Sequence, residues 1–580
     1  MNRRRFLRSS SLLLPVAGGA PLVGLAGCAS GGRPPRSTAI EPLAAIEPLE
    51  SSAQALSALH LLNRLSYGPR PGDVRQVLAM GIERYIAQQL NPSEIALPRA
   101  LNDELAQLAT LSMSTGSLLT QFQAAQRARL QQQAALGGAA GANQDTAANL
   151  TGSRDDNAAP RARSIIGAAT YDAVRSRLLR AIDSPRQLEE LLVDFWFNHF
   201  NVFIGKNLDR VLIGHYELHA IRPHVFGRFR DLLGATAKHP AMLFYLDNAQ
   251  SVAPGFVGRR PGAAQGAGAS GLNENYAREL MELHTLGADA GYSQSDVTEL
   301  ARILTGWTFD RNDASGDAFR FVPARHDQGE KQWLGRRIEP NGIAEGELAL
   351  DVLAAHPATA RRIGYKLAQF FVADEPPGRL VDTLAQSYSS SQGQIREVLR
   401  TLFAASEFRG SAGSPAKFKT PLQFVVSAVR AADISLPANI TPLAAAVAQL
   451  GMPLFGCTTP DGYKNTEAAW LNPEAMIRRI GFANALASGR LPLNQENPAV
   501  LPPAAIARNP NRADPAERRD PADRGADNRA RAAAMPAMDW RVVQAAIGPL
   551  ISAKTRAAIE QSEPTLKAAL ALGSPDFMRK

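Results

Sequence analysis

From Leu56 onward apolar residues return at helical spacing, and this period constrains the chain more than any other feature. Leu56, Leu59, Leu62 and Leu65 recur every three residues, which lays an apolar stripe along one face of a helix. Ser66-Tyr67-Gly68-Pro69 then stops that helix. Similar patterns predict helices within 72–135, about 165–250, 345–372, 380–408 and 418–432, and two short helices within 539–580. Residues 309–340 alternate aromatics with turn formers and hold the candidate short strands. Residues 136–161 and 491–535 are polar, low-complexity tracts that read as disordered insertions, and 254–271 is a glycine-rich loop. No fixed-period repeat is visible. The expectation is a mainly α chain: one large multi-helix domain over 56–580, with two disordered polar insertions and few short strands.

Composition narrows the function. At 580 residues and 45% hydrophobic, the chain can bury a sizeable core. Two cysteines exclude a disulfide-rich scaffold and a cysteine-built zinc or iron–sulfur centre. Arg3, Arg4, Arg5 and Arg8 alone supply four of the net +9 charges. The remaining cations form no stripe interleaved with aromatics, so no nucleic-acid partner is expected.

The N-terminus reads as an address and an anchor. Asn2-Arg3-Arg4-Arg5-Phe6-Leu7-Arg8 resembles a twin-arginine export signal, with Arg3 and Arg4 as the pair read by the twin-arginine translocase. The apolar stretch Leu12–Gly27 is broken by Pro15, Gly18, Gly19 and Pro21 and is too short to span a bilayer. It ends in Leu25-Ala26-Gly27-Cys28, which resembles a lipobox. Residues 1–27 are thus expected to be a signal peptide, Cys28 the lipidated residue, and 28–55 a flexible tether. Ala29 follows the cysteine where an aspartate would signal retention at the inner membrane. The expected location is the cell envelope, facing the periplasm, with the outer membrane favoured. Twin-arginine cargo folds before export and often loads a cofactor first.

The chemistry-bearing residues cluster in the middle of the chain. His215 and His219 stand at i and i+4 on one helical face, a spacing that suits a divalent metal or an ordinary amphipathic surface. Trp196-Phe197-Asn198-His199-Phe200-Asn201 places polar groups among aromatics at the end of an apolar helix. There Asn198 could orient a ligand. His199 is either a metal ligand or a satisfied buried histidine. Asp247, after His239-Pro240 and an apolar run, is an oxygen-ligand candidate or a polar cap.

Asn273-Glu274-Asn275 through Gly287 is the densest segment. At 100° per residue Asn275, Arg278, Glu279 and Glu282 share a face, and Gly287 ends the helix. Two carboxylates, an arginine and amides (Asn273 included) suit a metal or acid–base site, whereas Glu274–Arg278 and Arg278–Glu282 ion pairs are the bland account. Ser293 and Asp296 read as a capping box. His326-Asp327 and Lys331 lie in the loop-rich part, where functional residues concentrate. Cys457 reads as a packed thiol.

Together these segments resemble the bacterial domain-of-unknown-function 1800 family. The resemblance also takes in His60-Leu61-Leu62-Asn63-Arg64, Lys417-Phe418-Lys419-Thr420-Pro421, Pro460-Asp461-Gly462-Tyr463, Trp470-Leu471-Asn472-Pro473 and Gly573-Ser574-Pro575-Asp576-Phe577. It implies no reaction and no catalytic residues. It implies export and a genetic neighbour, a sulfatase-like protein of the domain-of-unknown-function 1501 family. Gln423 stands where the family pattern has glutamate, and Met452 where it has glutamine; a catalytic glutamate at 423 would leave this copy impaired.

The expected function is a lipid-anchored, metal-dependent hydrolase or oxidoreductase of the periplasm. Glu279, Glu282, Arg278, His326 and Asp327 are the catalytic candidates, and His199, Asp247, Glu279 and Glu282 the ligands of a divalent metal. The alternative is a non-catalytic envelope scaffold that binds the sulfatase-like neighbour.

Overall fold

Local signals in the chain start and stop the helices. In the computed structural model, Ser52 Oγ accepts the Ala55 N–H at 3.1 Å and caps the Ala53–Leu65 helix, three residues earlier than the apolar period suggests. The helix stops at Leu65, before Gly68 at φ +103°. The capping box of Ser293 and Asp296 opens the Gln294–Ile303 helix as expected. Residues 52–139, 164–256, 271–311, 316, 318–410, 417–495 and 536–580 are described by the structure. The signal segment, Cys28, most of the tether and most of both predicted insertions lie outside them.

The chain is mainly helical, as its periodicity requires. Its described strands form two antiparallel two-stranded sheets: β1 (Trp307–Phe309) with β2 (Phe319–Phe321), and β3 (Lys331–Trp333) with β4 (Arg336–Ile338). One contiguous buried cluster runs from Ala55 to Met578 and joins helices from both halves of the chain. No described helix is long and apolar enough to cross a membrane.

Four stretches differ from expectation; one is 380–408, which holds Gly378–Ser390, Ile395–Ala404 and Ser406–Arg409 rather than one helix. The Thr115–Ala139 helix runs into the stretch predicted to begin an insertion at 136, since alanine and glutamine favour helix even without an apolar face. The single helix expected over 345–372 is two, Ile343–Ala355 and Pro357–Phe371. Pro357 lacks an N–H and clashes with the preceding turn, and His356 Nδ1 caps the second helix by accepting the Ala358 N–H at 3.1 Å. The C-terminal part holds three helices, Trp540–Ile547, Ala553–Glu560 and Pro564–Leu572, rather than two.

Two helices change pitch midway. Asp209–His215 continues as a π-helix over Tyr216–Ile221, and Asn275–Glu279 continues as one over Leu280–Thr285. The second change falls inside the acidic segment, so the face predicted at 100° per residue holds only to Glu279.

Candidate functional site

The Gln187–His199 helix is buried on nearly every side, because Leu188, Leu191, Leu192, Phe195 and Trp196 leave no polar stripe wide enough to face water. It ends at His199, whose ring lies edge-on to Trp196 (5.3 Å between centroids) and Phe200 (4.5 Å). The aromatic walls fix the ring plane. Nε2 of His199 donates to the His284 carbonyl at 3.0 Å. That carbonyl belongs to the last turn of the 275–285 helix, where backbone acceptors lack intrahelical partners. With its proton on Nε2, His199 offers Nδ1 as an acceptor, and Lys366 Nζ lies 3.0 Å away.

Lys366 comes from the Pro357–Phe371 helix, pinned by Ile363, Leu367, Phe370 and Phe371. One turn earlier Arg362 Nε and Nη2 donate to the Leu283 carbonyl at 3.3 and 3.2 Å, so the same helix end takes two donors from this wall. Between these elements and the 452–465 loop lies a cleft of about 450 Å³. Lys366, His199, Arg362, Glu282, Asp461 and Lys464 supply its polar chemistry, and Phe195, Phe370 and Met452 part of its apolar wall.

Electrostatics make Lys366 unusual. Burial, then the charges of Arg362 and Lys464, lower its ammonium to about 7, against a smaller pull from Asp461. Burial, then Lys366, holds His199 well below its ordinary range, so the imidazole is neutral. Burial, then Glu282, raises the half-buried Glu279, with Arg278 opposing. Near neutral pH the site therefore presents an amine with a substantial unprotonated fraction, oriented by a neutral imidazole, with carboxylates nearby. Such an amine can remove a proton or attack a carbonyl carbon.

Three predicted residues, Asn198, His199 and Glu282, line this cleft. Asn198 Nδ2 donates to the Tyr463 carbonyl and its Oδ1 accepts the Tyr463 N–H, both at 2.7 Å. Asn201 Nδ2 donates to the carbonyls of Cys457 and Thr459 at 3.0 and 2.9 Å. The motif around His199 therefore clamps the loop that carries Asp461 and Lys464.

The other candidates stand elsewhere. Arg278 pairs with Glu274 (3.3 Å) and Gln294 Oε1 (2.9 Å). Asp247, at φ +61°, pairs with Lys206 at 2.8 Å. Asn273 Oδ1 accepts the Asn275 N–H at 2.9 Å, and Asn275 Nδ2 reaches the Leu246 carbonyl at 3.4 Å; both fasten the helix start. His326 Nε2 lies 2.9 Å from Glu345 Oε1, and Lys331 Nζ 2.6 Å from Glu345 Oε2, all three buried. Asp327 pairs with Arg302 at 2.7 Å. His326 and Asp327 thus knit the two small sheets to the 294–303 and 343–355 helices.

Gln423 completes the capping box of the Pro421–Ala431 helix with Thr420, a duty its amide performs without a carboxylate. The His215 and His219 rings lie 4.1 Å apart between centroids, tilted by 32°, and His215 Nδ1 accepts from His239 Nε2 at 2.9 Å in a separate groove of about 570 Å³. Among the described residues, no group of three or more histidine, cysteine, aspartate or glutamate side chains is placed to hold a metal ion. Cys457 is a buried free thiol.

The family model described as protein of unknown function, DUF1800, matches residues 60–579. The chain belongs to that family. Neither a curated protein nor a solved structure matches it. The DUF1800 match spans every wall of the cleft.

Lys366 and Arg362 escaped the sequence reading. A signal was present: the 357–371 stretch carries Arg361, Arg362 and Lys366 and no acid, with two cations at i and i+4. Like charges at that spacing are unfavourable on a free helix.

Proposed function

We propose that this chain is an enzyme of the cell envelope whose reaction centre is the cleft around Lys366. One observation carries the reading: the Lys366 amine donates to the neutral His199 inside a cleft that also holds Glu282, Asp461, Arg362 and Lys464. Lys366 acts as general base or nucleophile. Arg362 and Lys464 attract an anionic substrate, and the ammonium formed on Lys366 returns the proton it took. Export and anchoring at Cys28 rest on the Arg3-Arg4 and Leu25–Cys28 patterns.

Competitive labelling of lysine amines on the purified chain tests the centre. Lys366 should react ahead of the solvent-exposed lysines at pH 7, with half-titration near 7. Ordinary lysine behaviour at 366 would overturn the assignment. In cells, Lys366→Met should reproduce the loss seen on deleting the gene, whereas full complementation by Lys366→Met would sink the reading. The expected divalent metal is tested by elemental analysis of protein purified after native export. About one equivalent, lost in a Glu279→Ala/Glu282→Ala variant, would add a metal on the carboxylate side of the cleft.

A surface favours a second reading, partner binding. Ile477, Ile480, Leu566 and Leu570 are exposed on the adjoining Pro473–Ala487 and Pro564–Leu572 helices. The sulfatase-like 1501-type protein is the partner to test. A pull-down from solubilised membranes that recovers it with the wild type and not with Ile477→Arg would support this reading. Equal recovery would not.

A further inference from the structure

Lys366 and Arg362 stand four residues apart on the Pro357–Phe371 helix, so both side chains leave one face of it and line the same cleft. Their partners differ. Lys366 Nζ lies 3.0 Å from His199 Nδ1, and His199 Nε2 is committed to the His284 carbonyl at 3.0 Å. That second bond keeps Nδ1 as an acceptor, so the amine spends an N–H on the imidazole and keeps its lone pair for the cleft. Arg362 spends Nε and Nη2 on the Leu283 carbonyl. Among the described residues, no carboxylate stands within ion-pair distance of Arg362. Lys464, the other cation of the cleft, is matched by Asp461 at 2.6 Å. Arg362 is thus the cation at the wall whose charge no carboxylate answers at contact distance.

A free amine beside an unmatched guanidinium suits a ligand with an electrophilic carbon and an anion next to it. On a helix the two side chains start about 5–6 Å apart at their Cβ atoms, which places the anion close to the electrophile. The planar guanidinium fork matches the two oxygens of a carboxylate. Phe195, Phe370 and Met452 offer the rest of such a ligand an apolar wall, and the cleft of about 450 Å³ has room for a small molecule.

We propose that the cleft takes 2-oxo acids and that Lys366 Nζ forms an imine with their carbonyl carbon. This inference rests on the reading of Lys366 as a reactive amine and selects the nucleophile over the base. The Nζ lone pair attacks the carbonyl carbon, the N–C bond forms, and the C=O π pair moves onto oxygen. His199 Nδ1 receives the two amine protons one at a time and passes each to that oxygen. The C–O bond then breaks, the oxygen leaves as water, and a C=N bond stands in its place. Both protons of the water come from the amine, and no oxidant or reductant is consumed. Arg362 grips the carboxylate and sets the specificity.

The test uses the full purified chain at pH 7, with pyruvate as the probe and sodium cyanoborohydride to trap the imine as a secondary amine. Peptide mass spectrometry locates the adduct. Trapping should approach about one adduct per chain, on Lys366, with the solvent-exposed lysines far behind. Methyl pyruvate is the stronger electrophile but lacks the charge, and half-labelling should need about tenfold more of it. Arg362→Met should erase this preference for pyruvate. Trapping at Lys366 no faster than at the exposed lysines overturns the proposal. So does equal half-labelling of the wild type by the two probes, a comparison that stands even if Arg362→Met does not fold. If trapping fails while competitive labelling still singles out Lys366, the imine falls and the general-base reading of the cleft remains. If both fail, that reading falls too.

Discussion

Lys366 and Asp209 illustrate what burial does to single charges. The Lys366 amine loses its proton as pH rises through about 7, so a reaction that needs the free base should switch on over that range. The expected kcat/KM profile rises with unit slope below pH 7 and levels above it, and Lys366→Met should cost roughly two to four orders of magnitude. A profile flat from pH 5 to 9 would contradict the role. Asp209 is fully buried, and neither carboxyl oxygen has a partner. Burial pushes its carboxyl well above 3.8. A raised acid imposes no cost below its unfolded pKa and a growing one as pH climbs past it. Asp209→Asn should therefore melt close to wild type near pH 4 and at a higher temperature by pH 8. Melting curves across that range check the sign.

Elements act by presenting carbonyls and clamping loops. The C-terminal end of the 275–285 helix takes the His199 and Arg362 donors, and Asn198 anchors the 460–465 loop across the cleft. Gly462 makes that approach possible. It sits at φ +70°, and a Cβ there would lie 2.2 Å from the Asn198 carbonyl oxygen. Gly462→Ala should cost about 1–3 kcal/mol through backbone strain alone and should displace Asp461 and Lys464. KM should then rise more than kcat falls. Unchanged kinetics with a lower Tm would show that the loop does not shape the site.

At the scale of the molecule, buried ionic networks hold the sheets and helices together away from the cleft. Burial pushes the Glu345 carboxyl up, but hydrogen bonds from Lys331 and His326 outweigh it and leave it below 4.5. A depressed acid contributes stability that is present above its unfolded pKa and lost as pH falls through the folded one. Glu345→Gln should cost about 3–5 kcal/mol at neutral pH, and the gap should close on acidification. Activity per folded molecule should be unchanged, since the network does not line the cleft. The proposed anchoring is tested on the whole chain: if Cys28 carries the lipid, Cys28→Ser should move the protein from the membrane fraction to the soluble periplasm, read by fractionation.

Periodicity was enough to determine the helical class, the positions of most helices, the cap at Ser293 and the stop at Gly287, because these depend on residues within a turn or two of each other. Family membership was equally legible in ordered local motifs. Half of the candidate site was legible as well: His199, Glu282 and Asn198 sit in aromatic or acidic surroundings that make them conspicuous. Other decisions belonged to the tertiary structure. His326 and Asp327 look exposed and reactive in a loop, yet they are buried and hydrogen-bonded to Glu345 and Arg302, nineteen and twenty-five residues away. Lys366 looks like a solvated cation until helices 187–199 and 275–285 close over it. A side chain's charge state depends on which distant groups exclude water from it, and no local pattern encodes that.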